Sequence, residues 1–268
     1  MTHRAYEQQC PWIDFAFPVE LGSLWLKLGE AFSKCQHLAG SPLPPAVAKD
    51  LAGIFLAKGA LATTAIEGNT LSEEQAKAIL AQQLHLPPSQ QYLEQELHNV
   101  AAALTDIDHS AVSANTLHLT PEWIKEQNRI ILRDLELEDH VIPGEYTETQ
   151  LVVGDYRAAP PEDVDYLVDR LCDWLNHEWL APMHDESTGP DMKFVYAFFA
   201  ATLAHLYIAW IHPFGDGNGR TARLLECSIL AHCGVVPWVS SNVLSDFYNR
   251  TRSKPESVEV ILGSSVWE

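Results

Sequence analysis

Residues 194–211, FVYAFFAATLAHLYIAWI, carry no formal charge and run without a break into HPFGDGNGRTAR, His212 to Arg223. This apolar run of about 18 residues is the strongest constraint on the fold. A helix apolar on every side lies either in a bilayer or deep inside a helical domain. Thr202, His205 and two tyrosines within it, and the charged loop after it, favour the interior. The chain therefore reads as a mainly α protein with no membrane partner. At 268 residues it can enclose such a helix in one large domain, or in one domain with a small appendage.

The remaining punctuation is helical almost throughout. Pro45 is placed to open a helix through Asp50, Phe55 and Leu61 that should stop near Gly68-Asn69. Ser72 and Gln75 have capping-box spacing for another helix, running to about Leu84. Leu86-Pro87-Pro88-Ser89 is a break before an amphipathic stretch from Tyr92 to Ile107, and Thr120-Pro121-Glu122 starts a helix through Ile124, Ile130 and Leu132. Only residues 146–156 have strand character: Thr147, Thr149, Leu151, Val152 and Val153 favour extended backbone and Gly154-Asp155 a turn, so one short hairpin is expected. Pro160-Pro161-Glu162-Asp163 opens a helix with acid in its first turn. A helix should then run from about Asn218 to Cys233, with Gly234 as its stop.

With 36 acidic and 17 basic residues the formal net charge is -19, so a nucleic-acid duplex or an anionic membrane is repelled over most of the surface. Nucleic acid is therefore not expected as a partner. The five cysteines show no metal-binding spacing and read as reduced thiols, and the N-terminal residues lack the layout of a secretory signal. A cytoplasmic protein is expected. Any anionic ligand must be held by a local cluster of donors working against the overall field.

HPFGDGNGRTAR supplies such a cluster. It is not a dinucleotide fingerprint, whose third glycine would fall on Arg220, nor a P-loop, which needs a Lys-Ser/Thr pair. A calcium loop from Asp216 would need Gly at Thr221 and Glu at Cys227. Gly215, Gly217 and Gly219 allow a tight turn that brings backbone N–H groups close to a ligand. A helix beginning there adds its positive end, which makes an anion site. Arg220 and Arg223, three apart on its first turns, can reach separate phosphates. Asp216 is the oxygen ligand a Mg2+ ion would use. His212 stands on the rim, where an imidazole with an ordinary pKa of about 6.5 can take a proton from a hydroxyl. The stretch is read as a nucleotide-binding loop.

His212-Pro-Phe214-Gly-Asp216-Gly217-Asn218-Gly219-Arg220-Thr-Ala-Arg223 resembles the Fic family signature H-x-F-x-[D/E]-G-N-G-R-x-x-R at every defined position, and the likeness extends over roughly residues 50 to 250. The resemblance implies a Fic-type helical bundle with one short β-hairpin flap. It also implies transfer of AMP from ATP to a Ser, Thr or Tyr hydroxyl of a target protein, the enzyme itself being one candidate target. Carried over, His212 is the general base and Asp216 holds Mg2+. Gly217, Asn218 and Gly219 form the anion hole, with Arg220 and Arg223 on the β- and γ-phosphates. Phe214 resembles the buried aromatic that anchors the loop, and Tyr248 and Asn249 would line the adenine pocket. Leu151, Val152, Val153 and Gly154 look like the flap that docks an extended target segment. Gly219 favours AMP transfer, because Doc-type relatives that phosphorylate their targets have Lys there. In the flap, many relatives have Arg where this chain has Thr147.

Thr63-Thr-Ala-Ile-Glu67-Gly68-Asn69 resembles the family's inhibitory pattern [S/T]-x-x-x-E-[G/N]. Glu67 would then pair with Arg223 and take the place of the γ-phosphate. On this reading residues 1–110 are an N-terminal helical region carrying the inhibitory motif, 111–254 the catalytic core and 255–268 a C-terminal tail. ATP and a hydroxyl-bearing target protein are the implied partners, and a homo-oligomer stays open. Two other functions fit the same residues: removal of AMP from a modified protein with Glu67 orienting water, and a non-enzymatic helical interaction module.

Overall fold

The computed structural model describes residues 4–17, 22, 24–113 and 116–241. Tyr248, Asn249 and the tail 255–268 lie outside the described residues. The helices are α1 Tyr6–Gln9, α2 Leu24–Ala39, α3 Pro45–Ala65, α4 Glu73–Leu80, α5 Gln91–Ser113, α6 Pro121–Ile131, α7 Pro161–Trp174, α8 Ala181–His184, α9 Pro190–Ile211, α10 Asn218–His232 and α11 Pro237–Ser240. A π-helical turn, Leu175–Leu180, joins α7 to α8. One antiparallel hairpin, β1 Val152–Val153 with β2 Tyr156–Arg157, pairs Val152 with Arg157 and Val153 with Tyr156.

Local chemistry explains most of the boundaries. Ser72 accepts the Gln75 amide while the Gln75 side chain accepts the Ser72 amide, and the Thr120 hydroxyl accepts the Trp123 amide at the start of α6. Gly154 turns the hairpin at φ +60° and Gly234 stops α10 at φ +86°. α4 ends at Leu80, short of the expected Leu84, because Gln82 adopts φ +58° and the Gln83 amide closes on the Ala78 carbonyl. That is a left-handed stop made without glycine, so no residue announces it.

Two apolar cores share α10. On one side Ala222, Leu225 and Ile229 pack with Leu167, Leu171, Ala204, Ile208 and Phe214 from α7, α9 and the signature loop. On the other, Leu224, Cys227 and Ala231 pack with Ala60, Leu97, Val100 and Ile131 from α3, α5 and α6. α9 is long and apolar enough by length and composition to cross a bilayer, yet 61% of its apolar window is buried in the protein. The most enclosed helix is the more polar α10, where every residue but Gly219 and His232 is buried. Its charged groups tolerate this because each has a polar or oppositely charged side chain beside it. Arg220 has Glu96 and Asp216, Arg223 has Glu67, and Glu226 has His205 Nδ1 at 3.1 Å.

Candidate active site

The site forms where α9 ends and α10 begins. His212 closes α9 in the left-handed region, φ 52° and ψ 60°, with its amide on the Ile208 carbonyl at 2.8 Å. A β-substituted residue there costs about 1 kcal/mol or more, and such strain is common where function fixes a side chain. The imidazole Nδ1 donates to the Ala209 carbonyl at 3.3 Å, which leaves Nε2 as a proton acceptor. Burial pushes the His212 pKa below its ordinary value, partly countered by the Ala209 carbonyl, Glu67 and Asp216. The ring is therefore neutral near pH 7.

Asn218 ties the loop closed: its Oδ1 accepts the Phe214 amide at 2.9 Å and its Nδ2 donates to the Phe214 carbonyl at 2.6 Å. The Asn218 side chain thus serves the loop, and only its backbone amide faces outward from α10. Phe214 is buried and its ring lies 5.5 Å from that of Tyr146, with a backbone bridge between the two residues. Gly217 takes φ +78°, and a Cβ there would meet Asn128 Nδ2 at 3.0 Å and Ile131 at 3.1 Å. The first bond into α10 runs from the Thr221 amide to the Gly217 carbonyl at 2.8 Å. Among the described residues no acceptor meets the amides of Asn218, Gly219 and Arg220, which form the positive end of the helix. The Gly217 amide is engaged by the neighbouring Asp216 Oδ1.

Both arginines are buried and both are occupied by carboxylates. Arg220 Nη1 meets Glu96 Oε1 at 2.5 Å and its Nη2 meets Asp216 Oδ1 at 3.0 Å. Arg223 Nη2 meets Glu67 Oε1 at 2.6 Å and the Thr63 carbonyl at 3.0 Å. The Nε atoms of both are buried with no partner among the described residues. Glu67 sits just past α3, on a turn that Gly68 closes at φ +107°. Asp216 is a half-buried acid at the loop, paired with Arg220, and no group of three metal-ligating side chains occurs among the described residues.

The hairpin is fastened beside His212. The Tyr156 hydroxyl donates to the Trp210 carbonyl at 2.7 Å, the Thr147 amide donates to the Pro213 carbonyl at 2.9 Å, and the Ala158 amide reaches the Leu151 carbonyl at 3.1 Å. Val152 and Val153 remain exposed.

Two residues escaped sequence reasoning. Asn128, wholly buried on α6, donates to the Asp216 carbonyl at 2.9 Å and the Thr221 hydroxyl at 3.3 Å, and accepts the Gly144 amide at 2.9 Å. It stands in the apolar stripe with Ile124 and Ile131, and an amide in such a stripe was the available signal. Glu96, on α5, carried no comparable mark.

Residues 118–230 match the Fic/DOC family. A protein adenylyltransferase fic-1 of Caenorhabditis briggsae is 35% identical over 175 residues, 65% of this chain and 32% of that protein. A protein adenylyltransferase Fic of Drosophila willistoni is 32% identical over 172 residues, 64% of this chain and 31% of that protein. This chain thus spans about a third of the length of these relatives. Among solved structures, a Fic-domain-containing signaling protein of Bacteroides thetaiotaomicron superposes with a TM-score of 0.61 at 28% identity, covering 82% of this chain and 79% of that one. A Fic-1 fragment of C. elegans, residues 134–508, superposes at 0.60 and 22% identity over 91% and 73%. The helical body with its single hairpin is therefore a Fic fold, and residues 118–230 are a domain of the Fic/DOC family.

Proposed function

We propose that this protein is a self-inhibited protein adenylyltransferase that moves AMP from ATP to a hydroxyl side chain of a target protein. The observation that carries the reading is Glu67 on Arg223 at 2.6 Å, beside a loop that presents an imidazole, a carboxylate and open helix amides. A carboxylate on Arg223 removes a phosphate ligand and sets negative charge where an anionic substrate would come.

The donors favour a polyphosphate. Buried N–H groups without acceptors cost free energy until a ligand meets them, and phosphate oxygens would meet the arginine Nε atoms and the first three amides of α10. Asp216 fits Mg2+, an ion commonly bound by one or two carboxylates with substrate phosphates and water. When bound it would neutralise charge on the phosphates.

In the transfer, the target's hydroxyl oxygen bonds to the α-phosphorus. The bond from that phosphorus to the bridging oxygen breaks, and pyrophosphate leaves with the electron pair. The hydroxyl proton passes to Nε2 of His212, which the Ala209 carbonyl leaves free to accept it. The amides of Asn218, Gly219 and Arg220 would stabilise charge on the non-bridging oxygens. The exposed hairpin edge at Val152 and Val153 would pair with an extended target segment. Residues 1–110 would present Glu67, and 111–254 would form the catalytic core.

Mass spectrometry of the Glu67→Gly chain incubated with Mg·ATP tests this reading. One AMP added to a Ser, Thr or Tyr of the protein or of an added target is expected. Release of AMP from a pre-modified protein with no addition would assign removal instead.

A further inference from the structure

Arg220 is held between two carboxylates of different character. The Glu96 side chain is 13% exposed and that of Asp216 is 46% exposed. The second oxygen of Glu96 is also engaged. Asn69 gives one side-chain N–H to Glu96 Oε2 at 3.1 Å and the other to the Leu93 carbonyl at 3.1 Å, while its Oδ1 accepts the Leu71 amide at 3.2 Å. Both donors of that buried amide are used, and one is spent on orienting the carboxylate. Glu96 therefore cannot follow Arg220 if the guanidinium moves, whereas Asp216, at the open end, can. Burial, with Asp216 and Glu67 nearby, holds the Glu96 carboxyl above its ordinary value, partly countered by Arg220 and Asn69.

We propose that Glu96 is a positioning residue for a bound triphosphate. It hinges Arg220 at Nη1, so that Nη2 can exchange Asp216 for phosphate oxygen, and Nε can take a second oxygen, without the side chain collapsing onto that acid. Asn69 fixes the hinge. The inference rests on the nucleotide reading above and goes beyond it in naming what orients the first signature arginine. Without Glu96, Asp216 is the one acid left paired with Arg220 among the described residues. The two would then pair fully, and one phosphate ligand and the proposed Mg2+ ligand would be lost together. Nucleotide affinity falls in consequence, while the proton transfer at His212 is untouched.

The test uses the full chain carrying Glu67→Gly, which leaves Arg223 open, with calorimetry of Mg·ATP and the rate of AMP incorporation at saturating Mg·ATP. Glu96→Ala should weaken Kd by about tenfold, the scale of one charge-assisted contact. Asn69→Ala should give a smaller loss, about threefold, since Glu96 remains but is less fixed. Glu96→Gln, which keeps an oxygen for Arg220, should recover most of the affinity, and the saturated rate should stay within about threefold throughout. Cooperative melting of the Glu96→Gln and Asn69→Ala chains keeps the comparison sound if Glu96→Ala folds poorly. An unchanged Kd in these variants, or a loss of saturated rate at constant Kd, overturns the proposal. If the Glu67→Gly chain binds Mg·ATP but transfers no AMP, the transfer reading fails while the Kd series still decides the role of Glu96. If it binds no Mg·ATP at all, both are overturned.

Discussion

Glu67 reaches Arg223 across the bare α-carbon of Gly219: a Cβ at that position would lie 2.5 Å from Glu67 Oε1 and 3.1 Å from Arg223 Nη1. The glycine nearest the arginine pair thus does more than free the backbone, since its missing side chain is the space the carboxylate occupies.

A Gly219→Ala substitution should consequently couple to Glu67. In the parent chain the new methyl displaces the carboxylate and offsets the gain of up to about 1 kcal/mol that alanine brings to a helix. In the Glu67→Gly chain the space is open and the substitution should stabilise. A urea-unfolding cycle should give a coupling of about 1 kcal/mol, and strict additivity would show that Glu67 does not rest there.

Asn128 links the signature loop, α10 and the turn at Gly144 from a position with no exposure. Asn128→Ala leaves the Gly144 amide and the Asp216 carbonyl without their partner. It should cost roughly 2–4 kcal/mol in unfolding free energy. A change under about 0.5 kcal/mol would mean the loop is held elsewhere.

With His212 as the base of the proposed transfer, its protonation should set the acid limb of the rate. The base must be neutral, so the rate rises as pH rises through its pKa and is level above it. Because burial lowers that pKa, the midpoint should fall below about 6.5, the value of a free imidazole. Glu67 draws the same pKa upward, so its removal should shift the midpoint to still lower pH. A pH–rate profile of the Glu67→Gly chain with a midpoint above that of free imidazole would contradict this.

The Tyr156 hydroxyl is the tie between the hairpin and the last turn of α9. Tyr156→Phe should cost no more than about 1.5 kcal/mol of stability, the worth of one hydrogen bond. It should raise KM for a protein target and leave the Kd for Mg·ATP unchanged, because the hairpin does not touch the arginines. Equal losses for both substrates would place the hairpin's role elsewhere.

What could be read from the sequence was what is local. The capping box at Ser72, the hairpin turn at Gly154, the stop at Gly234 and the run His212–Arg223 each announce themselves within a dozen residues. Glu67 was legible only through resemblance, since its partner lies 156 positions away. Glu96 and Asn128 stayed hidden because their bonds span 124 and 88 positions, and an isolated Glu or Asn on a helix looks like a solvated residue. The enclosure of α10 was hidden for a related reason. Its arginines and glutamate mark it as a surface helix until the acids and histidine that meet them are brought in from the turn after α3, from α5 and from α9.

Incorporation of label from Mg·[α-32P]ATP by the parent, Glu67→Gly and Glu67→Gly/His212→Ala chains is the most direct test of the central claim that a nucleotidyl-transfer site is held shut by Glu67. Removing Glu67 should raise incorporation at least about tenfold, the worth of one buried charge-assisted contact, and that signal should be lost without His212. Equal labelling of the parent and Glu67→Gly chains, or labelling that survives loss of His212, would contradict it.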